Sequence, residues 1–288
     1  MSATAVGLPR RLASLVKLEH TVFALPFAYV GALLAADGVP DASDLLWITL
    51  AMVGARTLAM GLNRLIDAEL DARNPRTAGR ELPAGTLTRA QVLGLCAAAL
   101  LLFLAAVWQL DPLVRWLWPI PVLLFVVYPY LKRVTWLCHV WLGASLGLAP
   151  VGAWVALTGE LPWPAWALGA AVLLWVAGFD LFYSLFDLEH DRREGLHSWA
   201  TRFGEAGVFT GARLHHLGTV VLLAVAGLGL PVGAAYWLGV AAVAGLLLYE
   251  HRLVRPGDLR RLDAAFFTVN GVISIVFCGF VLVDVLAR

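Results

Sequence analysis

Long apolar runs separated by short polar segments dominate the chain. Nine of these runs approach the length of about 20 mostly apolar residues that a transmembrane helix needs. They cover approximately residues 18–37, 44–66, 90–109, 113–131, 137–157, 165–187, 212–229, 232–250 and 264–285. The pattern predicts an all-α, polytopic membrane protein of nine transmembrane helices, which form a single domain over residues 1–288 embedded in the lipid bilayer.

Composition supports a membrane protein and narrows its partners. The 288 residues are 60% hydrophobic with a mean hydropathy of +0.79, which is far above the value for a soluble domain. The net charge of +1 gives no basic field for nucleic acid, so we expect no nucleic-acid partner. The three cysteines are scattered in apolar runs, which argues against both a disulfide framework and a metal knot.

The basic residues predict the orientation of the helices. If the N-terminus is cytoplasmic, 18 of the 21 Lys and Arg residues fall on the cytoplasmic side. Only Arg115 and Arg288 lie outside, and Arg56 lies within the second run. The positive-inside rule then favours a plasma (inner) membrane protein whose two long loops, 67–89 and 188–211, are cytoplasmic and have room to cap a site.

Two acidic stretches end long apolar runs on this predicted cytoplasmic side. Nine of the 20 acidic residues lie between 67 and 81 or between 180 and 194. On a continuous helix, spacings of three and four place side chains on one face. The residues with this spacing are Asn63, Asp67 and Asp71 in the first stretch, and Asp180, Tyr183, Asp187 and Asp191 in the second. Stacked carboxylates repel unless a cation lies between them, and Mg²⁺ prefers such oxygen ligands, whereas the alternative is a solvated helix end.

Basic side chains near these acids complete a candidate site for a polyphosphate. Guanidinium groups bind phosphate oxygens bidentately. The first loop offers Arg73 together with Arg76 and Arg80, and Lys17, Lys132 and Arg133 lie at the same membrane face. We expect Lys17, Arg73, Lys132 and Arg133 to bind a diphosphate. The alternative is that these residues only anchor the helices at the lipid headgroups.

Arg56 lies two helical turns deeper than Asn63, in an apolar run. A buried arginine at this depth is costly unless it is paired or faces a cavity. We therefore place Arg56, with Asp180 and Tyr183, at the end of the site that binds an aromatic substrate. The alternative is a purely structural ion pair between Arg56 and Asp180, which occupies the matching depth on the second acidic helix.

The motifs resemble those of the UbiA superfamily of intramembrane prenyltransferases. The resemblance rests on N-R-x-x-D-x-x-x-D at 63–71, N-P-R-T-x-x-R-x-L-P-x-G at 74–85, Y-P-x-x-K-R at 128–133 and D-x-x-Y-x-x-x-D-x-E-x-D at 180–191. It implies a nine-helix bundle with a central cavity capped by the two cytoplasmic loops. It also implies catalysis and Mg²⁺ binding by Asn63, Asp67, Asp71, Asp187 and Asp191, with a polyprenyl diphosphate as donor.

The resemblance also implies the reaction but leaves its acceptor open. The pattern is similar to that of 4-hydroxybenzoate polyprenyltransferases of quinone biosynthesis. The segments KLEHTVFALPFA at 17–28 and GLHS at 195–198 are more similar to relatives that prenylate a hydroxynaphthoate on the futalosine route to menaquinone. A small aromatic acid is expected in either case. Asn63 or one of the carboxylates orients or deprotonates its phenol.

Two other classes of protein use membrane carboxylates. A cation or proton transporter keeps acids at depth, but it needs no cluster of loop arginines, and its acids more often lie at the midplane than at one face. A CDP-alcohol phosphotransferase also uses aspartates with Mg²⁺ at the membrane edge. Its D-G-x-x-A-R pattern is absent, because Asp71 is followed by Ala72, Arg73 and Asn74.

Overall fold

The computed structural model describes residues 7–16, 21–254 and 268–288. Every regular element within these ranges is helical, as the hydrophobic pattern predicts. The first half of the chain contains α1 Leu8–Val16, α2 Thr21–Ala36, α3 Ala42–Ile66, α4 Ala68–Arg73, α5 Arg89–Val107, α6 Val114–Leu117 and α7 Pro119–Leu131. The second half contains α8 Cys138–Thr158, α9 Trp163–Tyr183, a 3₁₀ turn Ser184–Asp187, α10 Leu188–Arg193, α11 Trp199–Leu228, α12 Ala234–Leu253 and α13 Asn270–Ala287.

These helices form an integral membrane protein. In the described ranges, eight helical segments are long and apolar enough to cross a bilayer. The first predicted run corresponds to α2, which has only 16 residues. The predicted count of nine spanning helices is therefore one too high by the length criterion, although each predicted run does contain an apolar helix.

The second predicted loop, 188–211, is wrong as a loop. It contains α10 and more than three turns of α11, which starts at Trp199. A capping box fixes this start: Ser198 Oγ accepts from the Thr201 amide at 3.2 Å, and the Ser198 amide donates to Thr201 Oγ1 at 2.8 Å. Charged residues interrupt the apolar run here, so hydrophobicity alone places the helix start at residue 212. Gly204, with φ 67° and ψ −176°, kinks the helix where a side chain would be strained.

Close packing of α8 on α9 fixes the position of the second acidic stretch. A Cβ atom at Gly143 would approach the carbonyl oxygen of Leu173 to 2.3 Å, and one at Gly147 would approach that of Gly169 to 2.5 Å. Glycine is therefore required on this face of α8, as is common between membrane helices. On the other side of α9, Trp175 is fully buried and donates to Asn270 Oδ1 of α13 at 2.7 Å.

Candidate active site

Both acidic stretches interrupt their helices at an aspartate. Asp67 separates α3 from α4 with φ −91° and ψ 4°, and Asp187 precedes α10 with φ −104° and ψ 2°. This is the sparsely populated bridge region of backbone conformation, which active-site residues often adopt. The prediction of one continuous helix face through each motif is therefore wrong. Each motif is instead an equivalent break followed by a six-residue helix.

Arginines from distant segments neutralise the first motif. Asp67 is 6% exposed and accepts from Asn63 Nδ2 at 3.0 Å and from Arg133 Nη2 at 2.9 Å. Asp71 is 7% exposed, and both of its oxygens accept from Arg80 Nη1 at 2.7 and 2.8 Å. The end of α7 and the loop after α4 therefore meet at the two aspartates of this motif.

The same loop reaches the second motif. Asp187 Oδ1 accepts from Asn74 Nδ2 at 2.8 Å and from Arg76 Nε at 2.9 Å. Arg76 also contacts Asp187 Oδ2 through Nη2, and it donates to the Tyr183 hydroxyl at 2.8 Å while lying over the Tyr183 ring. The loop after α4 therefore spans from one acidic motif to the other, as expected of a cap.

Lys132 and Asp191 lie in the same cluster and make no side-chain bond to another described residue. The positive charge of Lys132 acts on Asp67, Asp187 and Asp191 together. Asp191 is 4% exposed, and its Oδ1 has no hydrogen-bond partner within the described ranges. A buried carboxylate oxygen left without a partner is costly, so this atom is available to a cation or a donor group of a ligand.

Burial and charge set the protonation of this cluster. Burial raises the pKa of Asp67 to about 6, while the charges of Lys132 and Arg133 act in the opposite direction. Burial disfavours the charged form of Arg76, but its hydrogen bonds to Asp187 and the nearby charges outweigh this effect and raise its pKa. Arg76 therefore stays charged beside Asp187.

The donor set has the right chemistry for a hard divalent ion but is not gathered around one point. Among the described residues, no three carboxylate, histidine or cysteine side chains are close enough to hold a metal. Arg133, Arg80 and Arg76 instead bind the carboxylates directly. Carboxylate oxygens and the free Asp191 Oδ1 are nevertheless the ligands that Mg²⁺ prefers. Mg²⁺ binding by the two motifs stays a prediction, and it requires the arginines to exchange carboxylates for another anion.

Asp180 does not pair with Arg56. His139 Nδ1 is 2.7 Å from Asp180 Oδ2, and His139 Nε2 accepts from the Trp199 amide at 3.3 Å. Because Nε2 accepts, the proton is on Nδ1 and is donated to Asp180. The structural ion pair between Arg56 and Asp180 is therefore ruled out, since another residue fills that role.

Arg56 faces a cavity instead. A cavity of about 350 Å³ lies between α3 and α8, and Arg56 is the one charged residue among the described residues that line it. In this part of the chain Arg56 makes no hydrogen bond, and its Nε is buried without a partner. Arg56 lies eleven residues before Asp67, roughly 16 Å along the helix. Arg56 therefore faces a cavity, as expected, but no residue of the two acidic motifs lines this cavity, and a role of Arg56 toward an aromatic substrate stays a prediction.

Two of the predicted diphosphate-binding residues remain, Lys17 and Arg73. Lys17 lies outside the described residues. Arg73 is largely exposed and pairs with Glu194 at 2.9 Å, so it joins the two loops rather than the acidic motifs. Sequence reasoning understated Arg76 and Arg80, which contact the motif aspartates, although both belong to the N-P-R-T-x-x-R pattern. It missed His139 entirely, because no spacing links this residue to Asp180.

Comparison with known proteins gives consistent matches over nearly the whole chain. The model of the UbiA prenyltransferase family matches residues 24–272. A 4-hydroxybenzoate octaprenyltransferase from Nitrosospira multiformis is 34% identical over 258 residues, which is 90% of this chain and 88% of that protein. Another protein of the same description, from Tolumonas auensis, is 34% identical and covers 86% of this chain and 87% of its own.

Solved structures share the fold. The apo structure of a UbiA homolog from Aeropyrum pernix has a TM-score of 0.84 and 32% identity, and it covers 92% of this chain and 98% of its own. A UbiA homolog from Archaeoglobus fulgidus bound to GPP and Mg²⁺ has a TM-score of 0.77 at 18% identity, with 96% and 100% covered. The second likeness concerns the fold alone.

Proposed function

This chain belongs to the UbiA prenyltransferase family, and we propose that it transfers a polyprenyl group from an allylic diphosphate to the ring of 4-hydroxybenzoate in quinone biosynthesis. The observation that carries the proposal is the meeting of two equivalent aspartate breaks with three arginines, at the end of α3, while earlier turns of the same helix line an apolar cavity. The described relatives named 4-hydroxybenzoate octaprenyltransferase support this acceptor. A hydroxynaphthoate acceptor stays a prediction from the segments at 17–28 and 195–198.

The cationic side chains of the cluster bind the diphosphate. Arg76, Arg80 and Arg133 each hold a carboxylate in this structure, and each can exchange it for a phosphate oxygen, which fits the guanidinium fork equally well. Lys132 supplies a further charge between the motifs. As the allylic carbon–oxygen bond breaks, these groups stabilise the negative charge that develops on the leaving diphosphate. Arg73, being tied to Glu194, serves the closure of the loops instead.

A divalent ion fits the released carboxylates. Asn63, Asp67, Asp71, Asp187 and Asp191 would hold it, and the fold is shared with a homologue whose structure contains GPP and Mg²⁺. When bound, Mg²⁺ supplies positive charge that neutralises the diphosphate and the carboxylates together. When the arginines exchange carboxylates for phosphate oxygens, the divalent ion takes their place beside the buried carboxylates. The carboxylates are therefore compensated with and without ligands, and no isolated buried charge results.

The acceptor side of the site lies deeper. The Arg56 guanidinium matches the carboxylate of a small aromatic acid, and its position leaves the ring between Arg56 and the aspartates. The ring carbon next to the hydroxyl forms the new bond to the allylic carbon, and the proton lost goes to a carboxylate. Asp180, held by His139, is the candidate for this proton, with Asn63 and Tyr183 positioned nearer the diphosphate. The apolar walls keep water from the prenyl cation.

Orientation follows from the same assignment. We place the protein in the plasma (inner) membrane with this site facing the cytoplasm, where soluble aromatic acids and Mg²⁺ are available. The single domain over residues 1–288 then presents its donor site to the cytosol and its cavity to the bilayer interior.

Product analysis tests the proposal directly. Purified protein with Mg²⁺ is incubated with geranyl diphosphate or longer donors and either 4-hydroxybenzoate or 1,4-dihydroxy-6-naphthoate, and products are identified by mass. Prenylated 4-hydroxybenzoate is expected. Product only from the naphthoate would correct the acceptor. If no donor and acceptor pair gives product, while protein in vesicles carries ions without any donor, the transporter reading is correct instead.

A further inference from the structure

Arg64 is a buried arginine without a partner at the level of the acidic motifs. It follows Asn63 in the last turn of α3, it is 4% exposed, and its Nε is buried without an acceptor. Within the ranges that the structure describes, Arg64 makes no hydrogen bond and no ion pair. A buried guanidinium that lacks both an acceptor and a counter-ion is costly, so this position favours the binding of an anion.

The carboxylates near Arg64 are already bound to other groups. The charges of Asp71 and Glu81 act on Arg64 favourably, and that of Arg80 acts on it unfavourably. Both oxygens of Asp71 accept from Arg80, at 2.7 and 2.8 Å, and Glu81 Oε1 accepts from Ser14 Oγ of α1 at 2.8 Å. Arg64 therefore lies beside a second cation, next to acids that have other donors.

The location of Arg64 distinguishes it from Arg56. Asp71 of the first motif and Tyr183 of the second both act on the charge of Arg64. Arg56 precedes Arg64 by eight residues, roughly 12 Å along α3, and it lines the cavity, whereas Arg64 does not. Arg64 therefore lies with the two motifs, where the diphosphate is proposed to bind, rather than with the acceptor.

We infer that Arg64 binds the diphosphate group directly, and that this contact forms without a divalent ion. The inference rests on the proposed prenyl transfer. Arg76, Arg80 and Arg133 must each release a carboxylate before they bind phosphate, and a divalent ion is needed to take that carboxylate. Arg64 has no carboxylate to release among the described residues, so its guanidinium fork can accept two phosphate oxygens at once. An anion that bridges Arg64 and Arg80 also removes the repulsion between these two cations.

Inorganic pyrophosphate is the probe for this contact, because it carries the two phosphates of the donor without the prenyl chain. Calorimetric titration of the purified protein in detergent with EDTA should give saturable binding, and Arg64→Met should weaken the Kd about tenfold or more. Arg64→Lys should recover only part of the affinity, because it keeps the charge but not the planar fork. Binding by the unaltered protein only when Mg²⁺ is present would overturn the inference, as would an unchanged Kd in Arg64→Met.

A matched control separates this contact from the loss of one positive charge. Arg89 at the start of α5 has a side chain that is 63% exposed, and it lies 3.7 Å from the exposed Glu69 carboxylate. Arg89→Met removes the same charge by the same substitution, and its Kd for pyrophosphate should stay within about twofold of that of the unaltered protein. Equal weakening in Arg89→Met and Arg64→Met would assign the effect to net charge and contradict a specific contact.

Kinetics separate binding of the diphosphate from positioning of Asp71. Arg64→Met should raise the KM for geranyl diphosphate about tenfold and leave the KM for 4-hydroxybenzoate within about twofold. If Arg64 acts only by positioning Asp71, the variant will need more Mg²⁺ for half-maximal rate while its affinity for pyrophosphate in EDTA is unchanged. That result would refute a direct contact.

Thermal unfolding of the unaltered protein gives a measurement that does not depend on the folding of a variant. A ligand that binds the folded state raises the unfolding midpoint. Pyrophosphate in EDTA should raise it saturably, and an equal rise with sulfate at the same ionic strength would show that no site for a diphosphate exists without the ion. Absence of product from the unaltered protein with every donor and acceptor counts against the proposed function itself. Normal pyrophosphate binding by Arg64→Met, in a protein that does form product, counts against this inference alone.

Discussion

Arg56 gives the sharpest test of the proposed acceptor site, because its loss should separate function from stability. Its Nε is buried without a partner among the residues that the structure describes, and the cavity around it is apolar. A hydrogen bond to a charged group contributes about 1.5–3 kcal/mol. Loss of the contact to the acceptor carboxylate should therefore raise the KM for 4-hydroxybenzoate roughly 10- to 150-fold, since each 1.4 kcal/mol is tenfold. The KM for the prenyl diphosphate should stay nearly unchanged.

Loss of Arg56 should weaken acceptor binding without lowering the thermal stability of the protein. Replacing an unpaired buried charge by an apolar side chain of similar length is neutral or stabilising. We therefore expect Arg56→Met to keep or raise the thermal unfolding midpoint while it loses acceptor binding. Arg56→Lys should recover little affinity, because a point charge does not replace the planar guanidinium fork.

Steady-state kinetics with each substrate varied, together with thermal unfolding in detergent, provide the assay. An unchanged acceptor KM in Arg56→Met would refute the assignment of Arg56 to the acceptor carboxylate. A lower unfolding midpoint would show instead that Arg56 stabilises the fold through a contact that the cavity geometry does not contain.

Three further predictions concern the acidic motifs, the orientation and the positioning of Asp180. Asp67→Ala and Asp187→Ala should each lower the rate on the order of 10³-fold or more at ordinary Mg²⁺ with the fold intact by circular dichroism, and near-normal turnover would contradict shared binding. Cysteines introduced at Gly79 and Ala206, in a background without native cysteines, should react with an impermeant reagent from the cytoplasmic face only; reaction from the opposite face would reverse the topology. His139→Ala should lower kcat about tenfold with little change in the KM for the prenyl diphosphate. His139→Asn keeps a hydrogen-bond donor near Asp180, so it should restore most of the lost kcat. Equal activity of the unaltered protein and both variants would assign His139 to packing alone.

The sequence was sufficient for the fold because the bilayer leaves few alternatives. Apolar runs of transmembrane length must become helices in lipid, since every backbone group needs an internal partner. The hydrophobic pattern failed to predict a helix where polar residues continue it beyond the apolar run. The stretch from Trp199 to residue 211 contains Arg202 and Glu205, so it does not read as an apolar run, although it is helical. The local signal that defines its start is the S-x-x-T capping box at Ser198, which is independent of hydrophobicity.

The position of the candidate site could be predicted from the sequence, but the contacts between its residues could not. The four-residue spacing of two aspartates within each stretch identifies the two motifs from sequence. The position of Asp67 and Asp187 at equivalent helix breaks follows from the structure alone. Partner choice is not encoded in any local spacing, because Arg76 and Asp187 are 111 residues apart and His139 and Asp180 are 41 apart. Such pairs depend on how α8, α9 and the first loop pack against each other.

The pairing of Asp67, Asp71 and Asp187 with arginines explains how three buried carboxylates are stabilised in this cluster. Buried carboxylates that repel each other need compensation at all times, and here Arg133, Arg80 and Arg76 provide it. A diphosphate and divalent ions carry opposite charges, so they can enter together without changing the balance of the cluster much. In the proposed exchange, the arginines would bind the phosphates and the carboxylates would bind the ions. Each of these three carboxylates would then stay compensated, by an arginine before the exchange and by a divalent ion after it.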